Sequence, residues 1–416
     1  MKKIEQKAAR EITCRQGNAL PGGTFGLERE TLRVTAEGNM AHTPHPFRDD
    51  KKIVKDFCEN QAEINTGVHN SAGAALKELA ELSNRLSAEI EKRGEALWLY
   101  SNPPLLKNAD DIPVAVYEGE QKDKYIYRLY LAEKYGKNKM TLSGIHVNYS
   151  LSEKMFRLIP GGSAQSTELN YKNQTYLRLA QGLLEYGWII NLLLSASPVC
   201  DGSYFSAERA GETVITDYAS LRCGKEGYWN NFTPILFYDN ITAYTGSIQR
   251  YVNSGTLKGA SELYYPIRLK PKGANDLLNL VKNGVNHIEL RNIDINPFSE
   301  TGLDERDLEF IELLILWIVA EYREKLTYKD QIRVTENLKN AALYDIDSAA
   351  VYSKNNKPES ARTAGLRLLD ELKAFYGDNP VLNYQCRKLS ENGIRYAEKI
   401  CECFQDNRPL DFITPK

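Results

Sequence analysis

Apolar residues recur every three or four positions in several long segments, which is the spacing of one face of an α-helix. In the clearest segment, Leu76, Leu79, Leu82, Leu86 and Ile90 fall on one side. The same spacing predicts helices over 74–93, 174–196, 305–325, 359–376 and 385–403. The last two would form a helical C-terminal section that begins at about residue 355.

Shorter segments alternate between polar and apolar residues, most clearly in "TFGLERETLRV", "AEINTGV", "SGIHVNYSL" and "NHIELRNIDI". Side chains two apart on a strand point to the same face, so each segment predicts a strand with one polar and one apolar face. Strands and helices are segregated along the chain. The pattern therefore predicts an α+β fold with a largely antiparallel sheet that has one face on a cavity.

No internal repeat and no Pro/Ser-rich linker divides the chain, so we expect residues 1–416 to form a single catalytic domain. The most apolar run, "LLEYGWIINLLLSASPV" (183–199), is interrupted by Glu185. It is also shorter than the roughly 20 residues of a membrane span. A buried helix is the better interpretation of this run, and no membrane partner is predicted.

Composition excludes several classes of partner. With 53 basic and 55 acidic residues, the chain has no overall positive field of the kind that attracts nucleic acid. Its seven cysteines are dispersed and form no C-x-x-C pair, which argues against a disulfide framework or a zinc ribbon. The first 17 residues predict an amphipathic helix and lack the apolar core of a signal peptide. A cytoplasmic location is predicted.

The strand "FGLERETLRV" raises a question of charge. It places Glu28 and Glu30 on one face, with Arg29, Thr31 and Arg33 on the other. Two carboxylates held side by side repel each other unless water surrounds them or they share a cation. One interpretation is a solvated strand face that pairs with arginines across the sheet. The other is a cation site.

Other segments offer similar residues. In "SGIHVNYS", His146 and Asn148 share a face, although a lone histidine is more often structural. In "NHIELRNIDI", Glu289 shares a face with Arg291. Between residues 56 and 67, Asp56 would precede a turn and Glu63 would open a strand, but a helix would also bring them to one side. An oxygen-rich cluster of this kind suits Mg²⁺ or Mn²⁺. The candidate ligands are Glu28, Glu30, Asp56, Glu63, His146 and Glu289.

Seven segments, in order, resemble the motifs of bacterial glutamate–cysteine ligases: "FGLERETLRV", "DFCENQAEINTG", "YRLYLAEKYG", "SGIHVNYS", "SLRCGKEGYWN", "ELYYPIRLK" and "IELRNIDINPF". The likeness runs from about residue 25 to about residue 320. It implies a glutamine-synthetase-like fold, with a curved sheet that forms a cavity flanked by helices. It also implies ATP-dependent joining of the L-glutamate γ-carboxylate to the L-cysteine amine through a γ-glutamyl phosphate, the first step of glutathione synthesis.

The resemblance also implies roles for residues at matching positions. The six candidate ligands would hold two or three Mg²⁺ (or Mn²⁺) ions. Arg222 and Arg291 would act on phosphate or substrate groups, Asn148 and Arg291 would contact the nucleotide, and Arg128 would hold a substrate carboxylate. The acceptor pocket would be lined by Phe57, Tyr127, Leu131, Met140, Tyr228 and Tyr264.

Three alternatives qualify this interpretation. Met140 stands where better-known members of the family have a glutamine, so a ligase of the same mechanism with another amine acceptor stays open. A non-catalytic nucleotide-binding protein is a second alternative, which the intact ligand set opposes. A P-loop or dinucleotide-binding protein is the third alternative, but the sequence contains no Walker A motif and no strand-linked G-x-G-x-x-G motif. The chain ends well before a fused ATP-grasp domain could fit, so only the first step is expected.

Two cysteines lie beside proposed site residues in the sequence. Cys58 and Cys223 have no neighbouring histidine, and amide formation needs no enzyme thiol. We expect both to be small buried side chains.

Overall fold

The computed structural model describes residues 22–108, 111–158 and 167–405, so the predicted N-terminal helix lies outside the described residues. The strands are β1 (Gly23–Thr35), β2 (Ile53–Lys55), β3 (Gln61–Asn65), β4 (Glu95–Leu97), β5 (Ile145–Leu151), β6 (Val199–Asp201), β7 (Thr213–Ile215), β8 (Ile267–Lys270), β9 (His287–Ile293), β10 (Ala350–Tyr352) and β11 (Pro358–Ser360).

The helices are α1 (Ala72–Glu91), α2 (Lys122–Tyr135), α3 (Lys137–Met140), α4 (Glu153–Leu158), α5 (Glu168–Tyr186), α6 (Trp188–Leu194), α7 (Ile241–Asn253), α8 (Leu277–Asn283), α9 (Glu305–Glu321), α10 (Tyr328–Asn340), α11 (Ala361–Tyr376), α12 (Pro380–Leu389) and α13 (Tyr396–Gln405). None of these helices, taken over the described ranges, is long and apolar enough to cross a membrane.

A seven-stranded sheet is the centre of the fold. Six strands lie in the order β2-β3-β1-β5-β9-β8, and β4 pairs with the far end of β1. Each of these neighbouring pairs is antiparallel. Strands β6 and β7 form one separate pair, and β10 and β11 form another. The predicted α+β class and the largely antiparallel sheet are confirmed.

Strand register separates polar from apolar side chains across the sheet. Glu28 pairs with His146 and Glu30 pairs with Glu63, while the next residues along β1 point to the opposite face. That opposite face is buried and mostly apolar, and includes Leu27, Ile64, Val147 and Leu290. One face therefore belongs to the hydrophobic core and the other carries the polar groups.

Helices cover the apolar face. Helix α1 packs on β1, α5 on β8, and α6 on β9, while α9 packs against α1 and α5. Most of α9 is buried, including every residue from Phe310 to Val319, in keeping with a helix that is apolar on most sides. Glu185, which interrupts the apolar run of the sequence, is buried as well. Its carboxylate accepts hydrogen bonds from Arg333 Nη1 (2.9 Å) and Nη2 (2.7 Å), so the charge is compensated.

Helix boundaries differ from the predicted ranges at two places. Residues 174–196 fall in two helices, α5 and α6, divided at Gly187, where a Cβ would lie 2.2 Å from the Leu183 carbonyl oxygen. The single helix predicted over 385–403 is wrong. Helix α12 ends at Leu389 and α13 begins at Tyr396, and the intervening turn has no room for a Cβ at Gly393, 2.2 Å from the Arg387 oxygen.

The C-terminal helices pack on the central core. Helix α11 contacts α6 and α12, and α12 contacts α9. The predicted helical section from about 355 begins at Ala361, after the β10–β11 hairpin. The interpretation of residues 1–416 as one catalytic domain stays a prediction.

Arg29 and Arg33 lie on the core face of β1, 1% and 0% exposed. Arg33 Nη1 donates to Glu95 Oε2 at 2.5 Å and to Thr43 Oγ1 at 2.8 Å. These arginines are therefore not cross-sheet partners of Glu28 and Glu30. The interpretation of a solvated, arginine-paired strand face is wrong.

The Arg33–Glu95 pair yields a prediction of stability. We expect Glu95→Ala to lower the free energy of unfolding by about 3–5 kcal/mol, because Arg33 would keep a buried charge without its carboxylate. Urea unfolding followed by circular dichroism measures the change. Glu89→Ala, which removes an exposed pair with Lys92, is the matched control and should leave unfolding unchanged. Equal effects of the two substitutions would contradict the expected role of burial.

Candidate active site

Three strands bring a histidine and three carboxylates together on the polar face. His146 Nδ1 lies 3.0 Å from Glu28 Oε2 and 3.7 Å from Glu289 Oε1, and His146 Nε2 lies 3.5 Å from Glu30 Oε1. One ligand atom from each of Glu28, His146 and Glu289 lies within 4.8 Å of the other two. These residues come from β1, β5 and β9, which are adjacent in the sheet.

Asp56 and Glu63 enter the site through a hairpin. Asp56 directly follows β2, and Glu63 is the third residue of β3, opposite Glu30. The Asp56 N–H donates to the Gln61 carbonyl at 3.0 Å and closes the turn. A helix over this segment is thereby excluded, and the interpretation of a turn followed by a strand is confirmed.

The carboxylates at this end of the sheet repel one another. Burial raises the pKa of Glu63 to about 8, and the charges of Asp56 and Glu28 add to the shift. Burial and the charge of Glu30 raise the pKa of Asp56. Asn65 Nδ2 donates to Glu63 Oε1 at 3.0 Å, which offsets only part of the repulsion.

Carboxylates at the other end have cationic partners. Burial alone would raise the pKa of Glu289, but Arg291 and Lys270 outweigh it and hold this pKa well below its usual range. Arg291 Nη1 donates to Glu289 Oε1 at 2.8 Å, and Lys270 Nζ lies 3.1 Å from Oε2. For Glu28, burial also raises the pKa, yet the hydrogen bond with His146 contributes to a net lowering.

The donor set fits a hard divalent cation. Carboxylate oxygens dominate it, and oxygen ligands are what Mg²⁺ and Mn²⁺ prefer. Two buried polar atoms at the centre, His146 Nε2 and Asn148 Oδ1, have no hydrogen-bond partner. Buried polar atoms are normally paired, so these two are open to a bound ion or its water. All six sequence-predicted ligands border this region, while their role as ligands stays a prediction.

The two predicted catalytic arginines are in contact. Arg222 Nη1 donates to the backbone oxygen of Arg291 at 2.6 Å. A Cβ at Gly144 would lie 2.3 Å from Arg222 Cζ, so a glycine is required there for the arginine to fit. Arg222 and Arg291 line one cavity of about 30 Å³ together with Tyr228 and Tyr264.

Asp294 fixes the loop that carries Arg222, and the sequence analysis missed it. Its Oδ1 accepts from Ser220 Oγ at 3.0 Å, and its Oδ2 accepts from Ser197 Oγ at 2.7 Å. Ser220 Oγ in turn accepts from the Cys223 N–H at 3.0 Å. The signal in the sequence was an acidic residue directly after the alternating strand β9.

The acceptor-pocket candidates form a cluster of aromatic and apolar groups. The ring centroids of Tyr228 and Tyr264 are 4.4 Å apart, and Tyr264 Oη lies 3.9 Å from Met140 Sδ. Phe57 and Leu131 belong to the same buried cluster, and Tyr127 packs against it. The structure brings all six together, and their contact with a substrate stays a prediction.

Arg128 and Asn148 bind protein groups in this structure. Arg128 Nε donates to the Asp56 backbone oxygen at 2.6 Å, and Nη2 donates to Tyr117 Oη at 3.2 Å. Asn148 Nδ2 donates to Glu28 Oε1 at 2.9 Å. Arg128 therefore braces the hairpin that presents Asp56, whatever it contacts in a substrate.

Two cationic residues of β8 were missed. Arg268 pairs with Glu289 in register, and Lys270 contacts its carboxylate. The "IRLK" alternation in the sequence was the available signal. By contrast, the expectation for Cys58 and Cys223 is confirmed, because both are buried and burial raises the pKa of each thiol.

Comparison with known proteins gives a consistent result. The model of the family described as glutamate-cysteine ligase matches residues 11–254 and 233–341. The glutamate–cysteine ligase of Clostridium acetobutylicum is 30% identical over 455 residues, covering 94% of each chain. The glutathione biosynthesis bifunctional protein of Clostridium perfringens is 34% identical and covers 93% of this chain, but the match spans 52% of that protein. The chain thus spans about half the length of such bifunctional relatives.

Solved structures share the fold. A glutamate–cysteine ligase from Francisella tularensis, in complex with AMP, superposes with a TM-score of 0.83 at 24% identity, covering 94% of this chain and 86% of that one. A bifunctional glutathione synthetase from Pasteurella multocida gives a TM-score of 0.81 at 25% identity, covering 99% of this chain and 52% of that one.

The raised pKa of Glu63 predicts how stability depends on pH without divalent cations. Its folded-state pKa of about 8 exceeds the ordinary 4.5, so its stabilising contribution is complete below about pH 4.5 and is lost as the pH rises through 8. In EDTA at pH 8.5, the Glu63→Gln variant should therefore unfold at a higher temperature than the unsubstituted protein. This difference in melting temperature should narrow towards pH 5.

The same measurement with added Mg²⁺ tests the cation. We expect Mg²⁺ to raise the melting temperature of the unsubstituted protein more than that of Glu63→Gln, because binding to the folded state stabilises it. Glu371→Gln, in an exposed pair with Arg367, is the control. In EDTA, a difference in melting temperature that does not change with pH would contradict the assignment of Glu63 as a buried carboxylate repelled by its neighbours.

Proposed function

The chain belongs to the glutamate–cysteine ligase family, and from this premise we propose that it joins the γ-carboxylate of L-glutamate to the amine of L-cysteine. The reaction consumes ATP and proceeds through a γ-glutamyl phosphate, as the first step of glutathione synthesis. One observation carries the proposal: Glu28, His146 and Glu289 offer ligand atoms within 4.8 Å of one another, and Arg222 and Arg291 line a small cavity with Tyr228 and Tyr264. A cytoplasmic location stays a prediction.

Activation is the chemical problem that the site addresses. A carboxylate is a poor electrophile, because the nucleophile must approach a negative group and expel an oxide. Phosphorylation of the γ-carboxylate creates a leaving group. In phosphoryl transfer, a protein mainly positions the reactants and neutralises charge. Bound divalent cations supply part of that neutralisation by bridging phosphate oxygens.

The six metal-ligand candidates would hold two or three Mg²⁺ (or Mn²⁺) ions. Support comes from the uneven neutralisation of these carboxylate charges. Glu289 already pairs with Arg291 and Lys270, whereas Glu63 lies beside Asp56 and other carboxylates. The uncompensated end has the greater need for a cation. The proposed ligands are Glu28, Glu30, Asp56, Glu63, His146 and Glu289.

Arg222 and Arg291 would orient the transferring phosphoryl group. Burial lowers the pKa of Arg291, but Glu289 outweighs it and keeps the guanidinium charged. The hydrogen bond from Arg222 to the Arg291 backbone fixes the two relative to each other. Such preorganised donors stabilise developing charge without having to reorganise during the reaction. Asn148 and Arg291 would contact the nucleotide, and Arg128 a substrate carboxylate.

The acceptor amine would enter beside Tyr228 and Tyr264. A thiol side chain behaves as a small apolar group, which suits the aromatic wall formed by these two rings. The second candidate function is a ligase with the same mechanism and another amine, and Met140 is the observation that favours it. Both candidates keep every proposed metal ligand.

An acceptor panel distinguishes the two candidates. We expect glutamate-dependent ADP release to require Mg²⁺ and to be fastest with L-cysteine, because the pocket matches a small, weakly polar side chain. The panel includes 2-aminobutyrate and unrelated amines, each with and without Mg²⁺. Cysteine turnover no faster than that of 2-aminobutyrate or an unrelated amine would remove the cysteine assignment and leave the second candidate.

Arg291→Lys tests the phosphoryl site. Lysine keeps the charge but loses the planar fork, so we expect kcat to fall about 100-fold or more. The matched control is Arg209→Lys in an exposed pair with Glu212, which should keep full activity. Circular dichroism and melting temperature verify that both variants are folded. Full activity in a folded Arg291→Lys protein would refute the assigned role.

A further inference from the structure

A buried carboxylate lies behind the proposed acceptor pocket. Glu262 is 0% exposed and stands two residues before Tyr264. Its Oε1 accepts from Lys134 Nζ at 2.5 Å and from Tyr135 Oη at 2.8 Å. Its Oε2 accepts from the Lys258 N–H at 2.5 Å. Both carboxylate oxygens therefore accept hydrogen bonds, and the Glu262 side chain connects separate parts of the chain.

These contacts join the two walls of the pocket. Lys134 and Tyr135 end helix α2, which carries Tyr127 and Leu131 on one wall. Glu262 belongs to the segment that carries Tyr264 on the other wall. A second bridge runs in parallel, because Ser261 Oγ donates to Tyr127 Oη at 3.3 Å. The distance between the walls is thus set by polar contacts with defined geometry.

Tyr264 is held from two directions by this cluster. Asn230 Nδ2 donates to Tyr135 Oη and to the Glu262 backbone oxygen, each at 2.9 Å. Asn230 Oδ1 accepts from the Tyr264 N–H at 2.8 Å. The Tyr135 ring also meets the Tyr264 ring edge to face, at 5.2 Å between centroids. Both the backbone and the ring of Tyr264 are therefore positioned by groups bonded to Glu262.

We propose that Glu262 is a positioning residue whose carboxylate, through Tyr135 and the Asn230 amide bonded to the Tyr135 hydroxyl, fixes Tyr264 and so determines how tightly the acceptor amine binds. The inference rests on the proposed ligase function. Apolar contacts alone would allow the aromatic rings to shift relative to each other. A buried carboxylate whose hydrogen bonds are all formed specifies one arrangement. The side-chain partners of Glu262 include Lys134 and Tyr135 of α2 and the backbone N–H of Lys258, none of which is a metal-ligand candidate. Its effect should therefore fall on the acceptor and spare glutamate and ATP.

Steady-state kinetics of two variants test the proposal. Glu262→Gln keeps the shape of the side chain and removes its charge. Tyr135→Phe keeps the ring and the Lys134–Glu262 ion pair and removes one hydroxyl. We expect Glu262→Gln to raise KM for cysteine about tenfold, with kcat and the KM values for glutamate and ATP changed less than twofold. Tyr135→Phe should raise KM for cysteine in the same direction by about threefold.

A double-variant cycle tests the path. If Glu262 acts through Tyr135, the double variant should raise KM for cysteine by less than the product of the two single effects, because both changes weaken the same link. Glu185→Gln is the matched control. It breaks another buried carboxylate pair, with Arg333, and should lower the melting temperature without changing the ratio of KM for cysteine to KM for glutamate.

The outcomes separate three cases. A folded Glu262→Gln protein with unchanged KM for cysteine, or with all kinetic parameters worsened together, would overturn the positioning role. Fully additive effects in the double variant would overturn the path through Tyr135. If Glu262→Gln does not fold, Tyr135→Phe decides, and an unchanged KM for cysteine in that variant overturns the proposal. Absence of glutamate-dependent ADP release in the unsubstituted protein would instead defeat the proposed function itself.

Discussion

Repulsion among carboxylates on one face of the sheet is the constraint on which the site depends. Glu30 and Glu63 are paired across β1 and β3, and Asp56 lies beside them. At about 4 Å, two like charges repel by roughly 4 kcal/mol at an effective dielectric of 20. The antiparallel ladder prevents these side chains from separating. Positive charge must therefore come from elsewhere, and Arg291 and Lys270 supply it at the β8–β9 end.

The hydrophobic core keeps these charges in place. Shifting any strand by one residue would turn its apolar side chains to the polar face and bury its charges. Leu27 and Val147, whose neighbours Glu28 and His146 form the site, are both buried beneath the sheet. The pairing that satisfies the core is thus the pairing that assembles the carboxylates. Stability of the fold and geometry of the site depend on the same register.

Much of this arrangement could be predicted because a strand has a period of two. The alternation in β1, β5 and β9 predicted that Glu28, His146 and Glu289 lie on the polar faces of their strands, and the adjacency of these strands in the sheet brings the three together. Contacts to backbone atoms left no such signal, and the bond from Arg128 to the Asp56 carbonyl could not be foreseen. The helical spacing of apolar residues continues across the turn before α13, so a single helix was predicted there. This spacing does not reveal where a close approach of backbone atoms requires glycine.

Glu262 illustrates another limit of the sequence. Nothing in "ASELYYP" distinguishes a buried acidic side chain from a solvated one, because its partners lie more than 100 residues away on α2. Its burial becomes evident only when both walls of the pocket are seen together.

The two halves of the site are built in different ways, and this has a consequence for specificity. Most of the proposed phosphoryl half lies on adjacent strands, where one altered side chain disturbs a shared register and a shared field of charge. The acceptor half joins a helix, α2, to loop segments through side-chain bonds, so its residues can vary without moving the sheet. The resemblance to the family implies that Met140 departs from the family pattern in that half and that the carboxylates match it. We infer that acceptor preference can change independently of the phosphoryl chemistry.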